Sequence, residues 1–259
     1  MPEGDTIAYA ARRIRPALVG HIPDQIRTPQ ARHALDRWPQ RLAGRAVTEV
    51  RTHGKHLFLC FEGELVIHSH LRMTGAWGVY SRGRRWSRSP RRAWLVLSRG
   101  DHEVVQFDGP VLELMTESRA RFDQRLAALG PDVLAESFEA GRFLARLRSD
   151  DPTRGIGDAL LDQRNVAGIG NIWKAEGCWE ARVDPWRAVG AVSDAEALAI
   201  IEGVRPRMLR SAHGPGYMRE QAGVFRRAGR PCPRCGSTVM ARQQGDDNRT
   251  TFWCPGCQH

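Results

Sequence analysis

Lysine is almost absent from this chain: Lys55 and Lys174 are the two in 259 residues, against 37 arginines. A composition that has exchanged nearly every lysine for arginine marks the survivors as candidates for tasks that need an ammonium, which differs from guanidinium in size, hydration and pKa range. Long apolar runs are missing as well. No stretch of eighteen or more apolar residues occurs and the start carries no hydrophobic signal region, which argues against a helical membrane span and predicts a soluble, cytoplasmic protein. Cysteine is sparse outside the last 28 residues: Cys60 and Cys178 stand alone in apolar surroundings and read as buried core residues. No internal repeat is visible.

The charge that is present is uneven. Residues 1–130 hold 21 Lys plus Arg against 13 Asp plus Glu, and residues 131–259 hold 18 against 16, so +8 of the net +10 lies in the front half. Such an excess suits a polyanionic partner, for which nucleic acid is the usual one. The densest run, Ser81-Arg-Gly-Arg-Arg-Trp-Ser-Arg-Ser-Pro-Arg-Arg92, reads either as a loop beside a nucleic-acid backbone or as a plain solvated loop.

Element patterning divides the chain. Asp5 is a plausible N-cap for a helix to about residue 18, with Ile7, Ala11, Ile14 and Leu18 at helical spacing and Pro16 shortening or kinking its end. Seven short apolar or alternating runs follow, at 46–51, 56–61, 64–68, 76–80, 94–98, 103–107 and 111–115, punctuated by turn residues, as in a β-sandwich or barrel. The pattern becomes helical after residue 130, with helices expected at 139–148, 157–163, 171–180 and 194–210. The expected class is α+β, in three parts: a β-sandwich with a leading helix over 1–130, a helical domain over 131–225 and a cysteine-rich tail over 226–259. At this length a second core is expected.

Three local patterns carry chemistry. The start reads Met1-Pro2-Glu3-Gly4-Asp5; removal of Met1 would leave Pro2 with a free secondary amine next to a carboxylate. A terminal amine titrates at roughly pKa 8 against about 10.4 for lysine, so part of it is unprotonated and able to attack carbon near neutrality. The tail holds Cys232-x2-Cys235 and Cys254-x2-Cys257 with 18 residues between the pairs, a spacing that suits one tetrahedral, structural zinc ion. Strands at 239–242 and 250–253 around a turn at 243–249 would make this a zinc-stapled hairpin, with Arg249 where the turn feeds the second strand. In Gln163-Arg-Asn-Val-Ala-Gly168-Ile-Gly170-Asn171 a helix end, a compact glycine turn and a new helix follow one another, and backbone amides at such a helix start favour a phosphate.

In combination and in this order, Pro2-Glu3-Gly4, the Gln163 to Glu176 segment and the four-cysteine hairpin with Arg249-Thr-Thr-Phe resemble the formamidopyrimidine-DNA glycosylase/endonuclease VIII family, most of all its actinobacterial endonuclease VIII-type branch. The resemblance implies a bifunctional repair enzyme that removes oxidised bases and nicks the strand, acting on damaged and abasic-site DNA as a nucleoid-associated monomer, with one structural zinc and no small-molecule cofactor. It implies Pro2 as nucleophile on C1′, Glu3 as acid/base, Lys55 as a phosphate contact at the lesion, and Met73 as the side chain that fills the space of the flipped base. By the same resemblance the Gly168–Gly170 turn forms part of a helix-two-turn-helix DNA-binding motif, and Asn171 and Arg249 bind phosphate.

Two departures matter. Thr6 stands where the family start usually carries a glutamate. Phe107-Asp-Gly-Pro-Val-Leu-Glu113 lacks the arginine and phenylalanine that, in the formamidopyrimidine branch, read the orphaned base, so oxidised pyrimidines are expected over 8-oxoguanine. Among His53, His56, His68 and His70, His68 and His70 share a strand face with no carboxylate or cysteine expected to complete a ligand set, and satisfied strand histidines are the expectation. The rival reading is a catalytically inactive relative that keeps the scaffold and zinc and binds DNA.

Overall fold

The computed structural model describes residues 2–33, 36–214 and 222–259. Residues 215–221, part of the expected helical domain 131–225, lie outside the described residues. The chain forms two compact units: one holds residues 6–127 with 1–2, and the other Ala128–His259 with Glu3–Asp5.

In the first unit the helix α1 (Gly4–Leu18) is followed by β1 (Gln25–Arg27), α2 (Trp38–Leu42), β2 (Val47–His53), β3 (His56–Phe61), β4 (Leu65–His70), β5 (Ala76–Ser81), β6 (Ala93–Arg99), β7 (His102–Phe107) and β8 (Val111–Thr116), then by the short helices α3 (Glu117–Phe122) and α4 (Gln124–Ala127). Two four-stranded sheets, ordered β1-β6-β7-β5 and β2-β3-β4-β8, are antiparallel throughout. One apolar core joins Val50, Leu57, Leu59, Ile67 and Leu112 of one sheet, Leu95, Leu97 and Val104 of the other, and Ile7, Ile14 and Leu18 of α1. The unit is thus a β-sandwich closed by its leading helix, as the alternating runs predict.

The outer faces are covered too, which is why β3 is buried over nearly its whole length and not on alternate residues. Phe58, Cys60, Val66 and Met115 pack beneath Ala120 of α3, and Ala93, Val96, Val105 and Phe107 pack against Tyr80 and Trp86.

Sequence expectation and structure part at several short elements. Asp5 is not an N-cap; the helix already includes Gly4 and runs through Pro16 to Leu18. Proline has no N–H to give to the Arg12 carbonyl, so the helix carries Pro16 with one bond missing, two residues before its end. β1, α2, α3 and α4 have three to six residues each, too few for a period to show.

The second unit holds α5 (Ala140–Arg148), α6 (Ile156–Ala159), α7 (Asn171–Glu180) and α8 (Asp194–His213), then the hairpin β9 (Met240–Gln244) and β10 (Arg249–Trp253). Its core runs through Phe143, Leu147, Ile156, Leu160, Ile169, Trp173, Ile200 and Val204. A capping box starts α8, with Ser193 and Glu196 bonding each other's backbone N–H. The expected helix 157–163 shrinks to the single turn of α6, because the chain beyond it is held by side chains: Asn165 Nδ2 donates to the Ala159 carbonyl at 3.0 Å, and Gln163 Nε2 to those of Leu161 and Ile169.

Candidate active site and nucleic-acid interface

The glycine turn before α7 is built around a carboxylate. Glu3, 1% exposed, accepts the backbone N–H groups of Gly170 at 2.9 Å, Ile172 at 2.8 Å and Trp173 at 3.3 Å. The first N–H groups of a helix have no partner within it, and the helix dipole favours an anion there. Here Glu3 occupies that seat, so the amides expected to favour a phosphate serve a side chain of the protein itself. Gly4 N–H also donates to the Gly168 carbonyl at 2.9 Å, and Gln163 Oε1 accepts Gly168 N–H at 3.0 Å. Gly168 has φ +106° and a Cβ on Gly170 would lie 2.4 Å from Glu3 Cδ, so both positions require glycine. Pro2, half-buried, directly precedes this anchored residue.

Asn171, the first residue of α7, donates from Nδ2 to the Thr250 carbonyl at 2.8 Å, while its Oδ1 is buried without a hydrogen-bond partner. Arg249 opens β10 opposite Gln244, and its guanidinium lies 3.3 Å from the Asp247 carboxylate. The expected turn 243–249 narrows to Gly245–Asn248, with positive φ at both ends. Helix start and hairpin are therefore tied together beside Arg249.

Beneath them lies a residue that spacing alone does not identify. Lys174 is fully buried; Nζ donates to Thr251 Oγ1 at 2.5 Å, and Thr251 Oγ1 donates to Gln244 Oε1 at 2.8 Å. Burial pushes the ammonium down to about 8. Its scarcity among 37 arginines was the one sequence signal. Glu176, two residues further along α7 and equally buried, accepts the N–H groups of Gly223, Val224 and Phe225 and a guanidinium N–H of Arg207 at 2.8 Å. It fixes the chain where it enters the cysteine-rich segment.

The four sulfurs of Cys232, Cys235, Cys254 and Cys257 lie within 4.8 Å of one another, and they are the one group of three or more candidate ligand side chains among the described residues. Four thiolates on a tetrahedral ion at about 2.3 Å stand about 3.8 Å apart; the Cys232–Cys257 and Cys235–Cys254 pairs are at 3.9 and 3.4 Å. Trp179 Nε1 and Arg234 N both donate to Cys232 Sγ at 3.4 Å, as suits a thiolate ligand. The residues fit a metal ion. Cys60 and Cys178 are buried, as expected.

In the first unit the strand register gathers the other candidates at one end of a sheet. His53, His56, His70 and Val111 are successive cross-strand partners. From that end emerge the two-residue Gly54-Lys55 turn, with Gly54 at φ 55°, the Leu71–Gly75 turn that carries Met73, and the Asp108–Pro110 connection. Met73 is 62% exposed, which excludes a core role for it. His56 Nδ1 and His68 Nε2 are 2.8 Å apart, and His68 Nδ1 lies 3.4 Å from Glu113 Oε2. Glu113 reaches His68 across the β4–β8 pair, but among the described residues it completes no metal-ligand group with the histidines, as expected. Burial and the neighbouring His70 and His68 push His56 down to about 2; burial, Arg72 and Lys55 push His70 down to about 4. Neutral, mutually bonded strand histidines are the result.

Comparison with known proteins decides the kinship. The formamidopyrimidine-DNA glycosylase N-terminal domain matches residues 1–125, and the H2TH domain of the same enzymes matches residues 129–216. The chain belongs to the formamidopyrimidine-DNA glycosylase family. Its relatives include a probable endonuclease 8 of Streptomyces coelicolor, 40% identical over all of this chain and 94% of the relative. Another is a DNA-(apurinic or apyrimidinic site) lyase of Mycolicibacterium smegmatis, 35% identical over all of this chain and 99% of the relative. These agree with the endonuclease VIII-type branch expected from the motifs. The fold is also that of Lactococcus lactis Fpg, solved with N7-benzyl-Fapy-dG-containing and abasic-site DNA: the TM-score is 0.85 over the full length of both chains at 22% identity. Among the described residues, no helix is long and apolar enough to cross a membrane.

Proposed function

We propose that this family member is a bifunctional DNA glycosylase and abasic-site lyase that favours oxidised pyrimidines and works through an iminium on Pro2. The observation that carries the reading is the seat of Glu3. A carboxylate fixed by three backbone amides, one residue from the amine, can hold and return a proton at a constant position relative to it. The Pro2 nitrogen attacks C1′, the bond from C1′ to the base breaks and the base leaves. Glu3 takes the proton that the Pro2 nitrogen loses and passes it to the ring oxygen, as the sugar ring opens to a cationic iminium between Pro2 and C1′. Electron withdrawal by the iminium then lets the C2′ proton pass to the Glu3 carboxylate, the C3′–O bond breaks, and the strand is cut with phosphate as leaving group.

A base inside a duplex must be flipped out first. Lys55, Asn171 and Arg249 are the proposed phosphate contacts, Gly168 and Gly170 let the chain approach closely, and exposed Met73 is the wedge that fills the vacated space. Residues 1–130, 131–225 and 226–259 would act as catalytic, helix-two-turn-helix and zinc-finger parts of a monomer in the cytoplasm. The four cysteines would hold one structural zinc ion, with no ligand position left for catalysis. The lesion preference rests on Phe107–Glu113, which offers no arginine to the orphaned base.

Borohydride trapping tests the reading. Tag-free protein, with Met1 removal confirmed by mass, should form a covalent adduct at Pro2 on a duplex with one abasic site. Zinc-loaded protein that binds this duplex and yields no adduct would instead be the non-catalytic DNA-binding relative.

A further inference from the structure

The arginine-rich stretch between β5 and β6 is packed against the β-sandwich along one side. Its inner side is fastened at three consecutive residues. The Trp86 ring meets Phe107 edge-on at 5.8 Å and its Nε1 donates to Glu103 Oε2 at 3.1 Å. Ser87 Oγ lies 2.6 Å from the Tyr80 hydroxyl. Arg88 Nη1 donates to Asp108 Oδ2 at 2.9 Å and to the Thr74 carbonyl at 2.5 Å.

Three carboxylates around the loop are engaged from within. Asp108 takes Arg88 and Arg92, Glu103 takes Trp86 and Arg27, and Asp24 lies 4.0 Å from Arg82. Three cations remain. Arg84, Arg85 and Arg91 are exposed, and their side chains have no hydrogen-bond or ion-pair partner among the described residues. Like charges on one anchored loop repel one another, and a polyanion relieves that repulsion.

We propose that Arg84, Arg85 and Arg91 form an additional phosphate-binding platform that grips the DNA backbone. The inference rests on the functional reading above, because DNA is the polyanion it supplies. It also has a structural link to that reading: Arg88 fastens the loop to Thr74, the residue after Met73, so the platform and the proposed wedge share one support. Guanidinium groups without protein partners suit sequence-independent phosphate contacts.

The experiment is the salt dependence of equilibrium binding to a duplex carrying a tetrahydrofuran abasic analogue. Each phosphate neutralised contributes about 0.9 to the slope of log K against log salt. Arg84→Ala/Arg85→Ala/Arg91→Ala should lower that slope by about 1 to 3, and the corresponding triple lysine variant should keep it. Thermal melting of both variants confirms that the fold survives. An unchanged slope in the folded alanine variant overturns the platform. Trapping of the wild-type protein on the abasic duplex judges the functional reading separately, so a trapped wild type with an unchanged variant slope disproves the platform alone.

Discussion

Lys174 Nζ donates to Thr251 Oγ1 across 2.5 Å, and neither residue has exposed surface. The ammonium titrates at about 8 in the fold against 10.5 when free. Between these values the unfolded chain binds more protons than the folded one, so this group makes stability rise with pH from about 8 to 10.5 and leaves it flat below 8. The full change is on the order of 3 kcal/mol. Urea unfolding of wild type and Lys174→Met at several pH values across that window should give curves that diverge; parallel curves would show that Lys174 is charged throughout.

Gly170→Ala should unseat Glu3, because the new methyl would sit 2.4 Å from its Cδ. Loss of hydrogen bonds to a buried carboxylate costs roughly 1–3 kcal/mol. The expected outcome is a lower melting temperature together with a loss of base excision in single-turnover assays. Normal excision by this variant would show that the position of Glu3 is not critical.

Arg249→Ala should weaken duplex binding and reduce its salt slope by about 1, with metal content unchanged. The Asp247 contact is at the surface and adds little to stability. Unaltered affinity would remove Arg249 from the proposed phosphate contacts.

Cys254→Ala takes one of four clustered sulfurs away. Zinc content, measured by atomic absorption, should fall from one ion per chain towards none, with a loss of DNA binding. Retention of a full equivalent would mean that the ion sits elsewhere.

His70 is held neutral, at about 4 in the fold. Its free value is 6.5, so the stability it contributes is complete above 6.5 and drains away as pH falls from there towards 4. His70→Asn keeps an acceptor for the Arg72 N–H, which the His70 Nδ1 now receives at 3.2 Å, and removes the titration. Its melting temperature should therefore fall less steeply with acid than that of the wild type. Equal steepness would assign the acid sensitivity to other groups.

The sheets and main helices are legible in the sequence because apolar residues recur at helical spacing, as Phe143 and Leu147 do in α5, or run on over five residues, as in β3. The cysteine cluster is legible because a four-thiolate shell demands a fixed spacing. What spacing does not reveal is contact across the chain: Glu3 meets Gly170 at a separation of 167 residues and Lys174 meets Thr251 at 77. Nor does it separate a solvated arginine from an anchored one, since Arg84 and Arg88 differ only in what lies beneath them.

The burial of Lys174 has a practical consequence for chemical labelling. Apart from its terminal amine, the chain holds two primary amines, and one of them is inaccessible. An acylating reagent used on the folded protein would therefore be confined to the N-terminus and Lys55, both at the proposed reaction centre. Ordinary amine chemistry becomes a site-directed probe without mutation, and protection from it by DNA can be read directly by mass spectrometry.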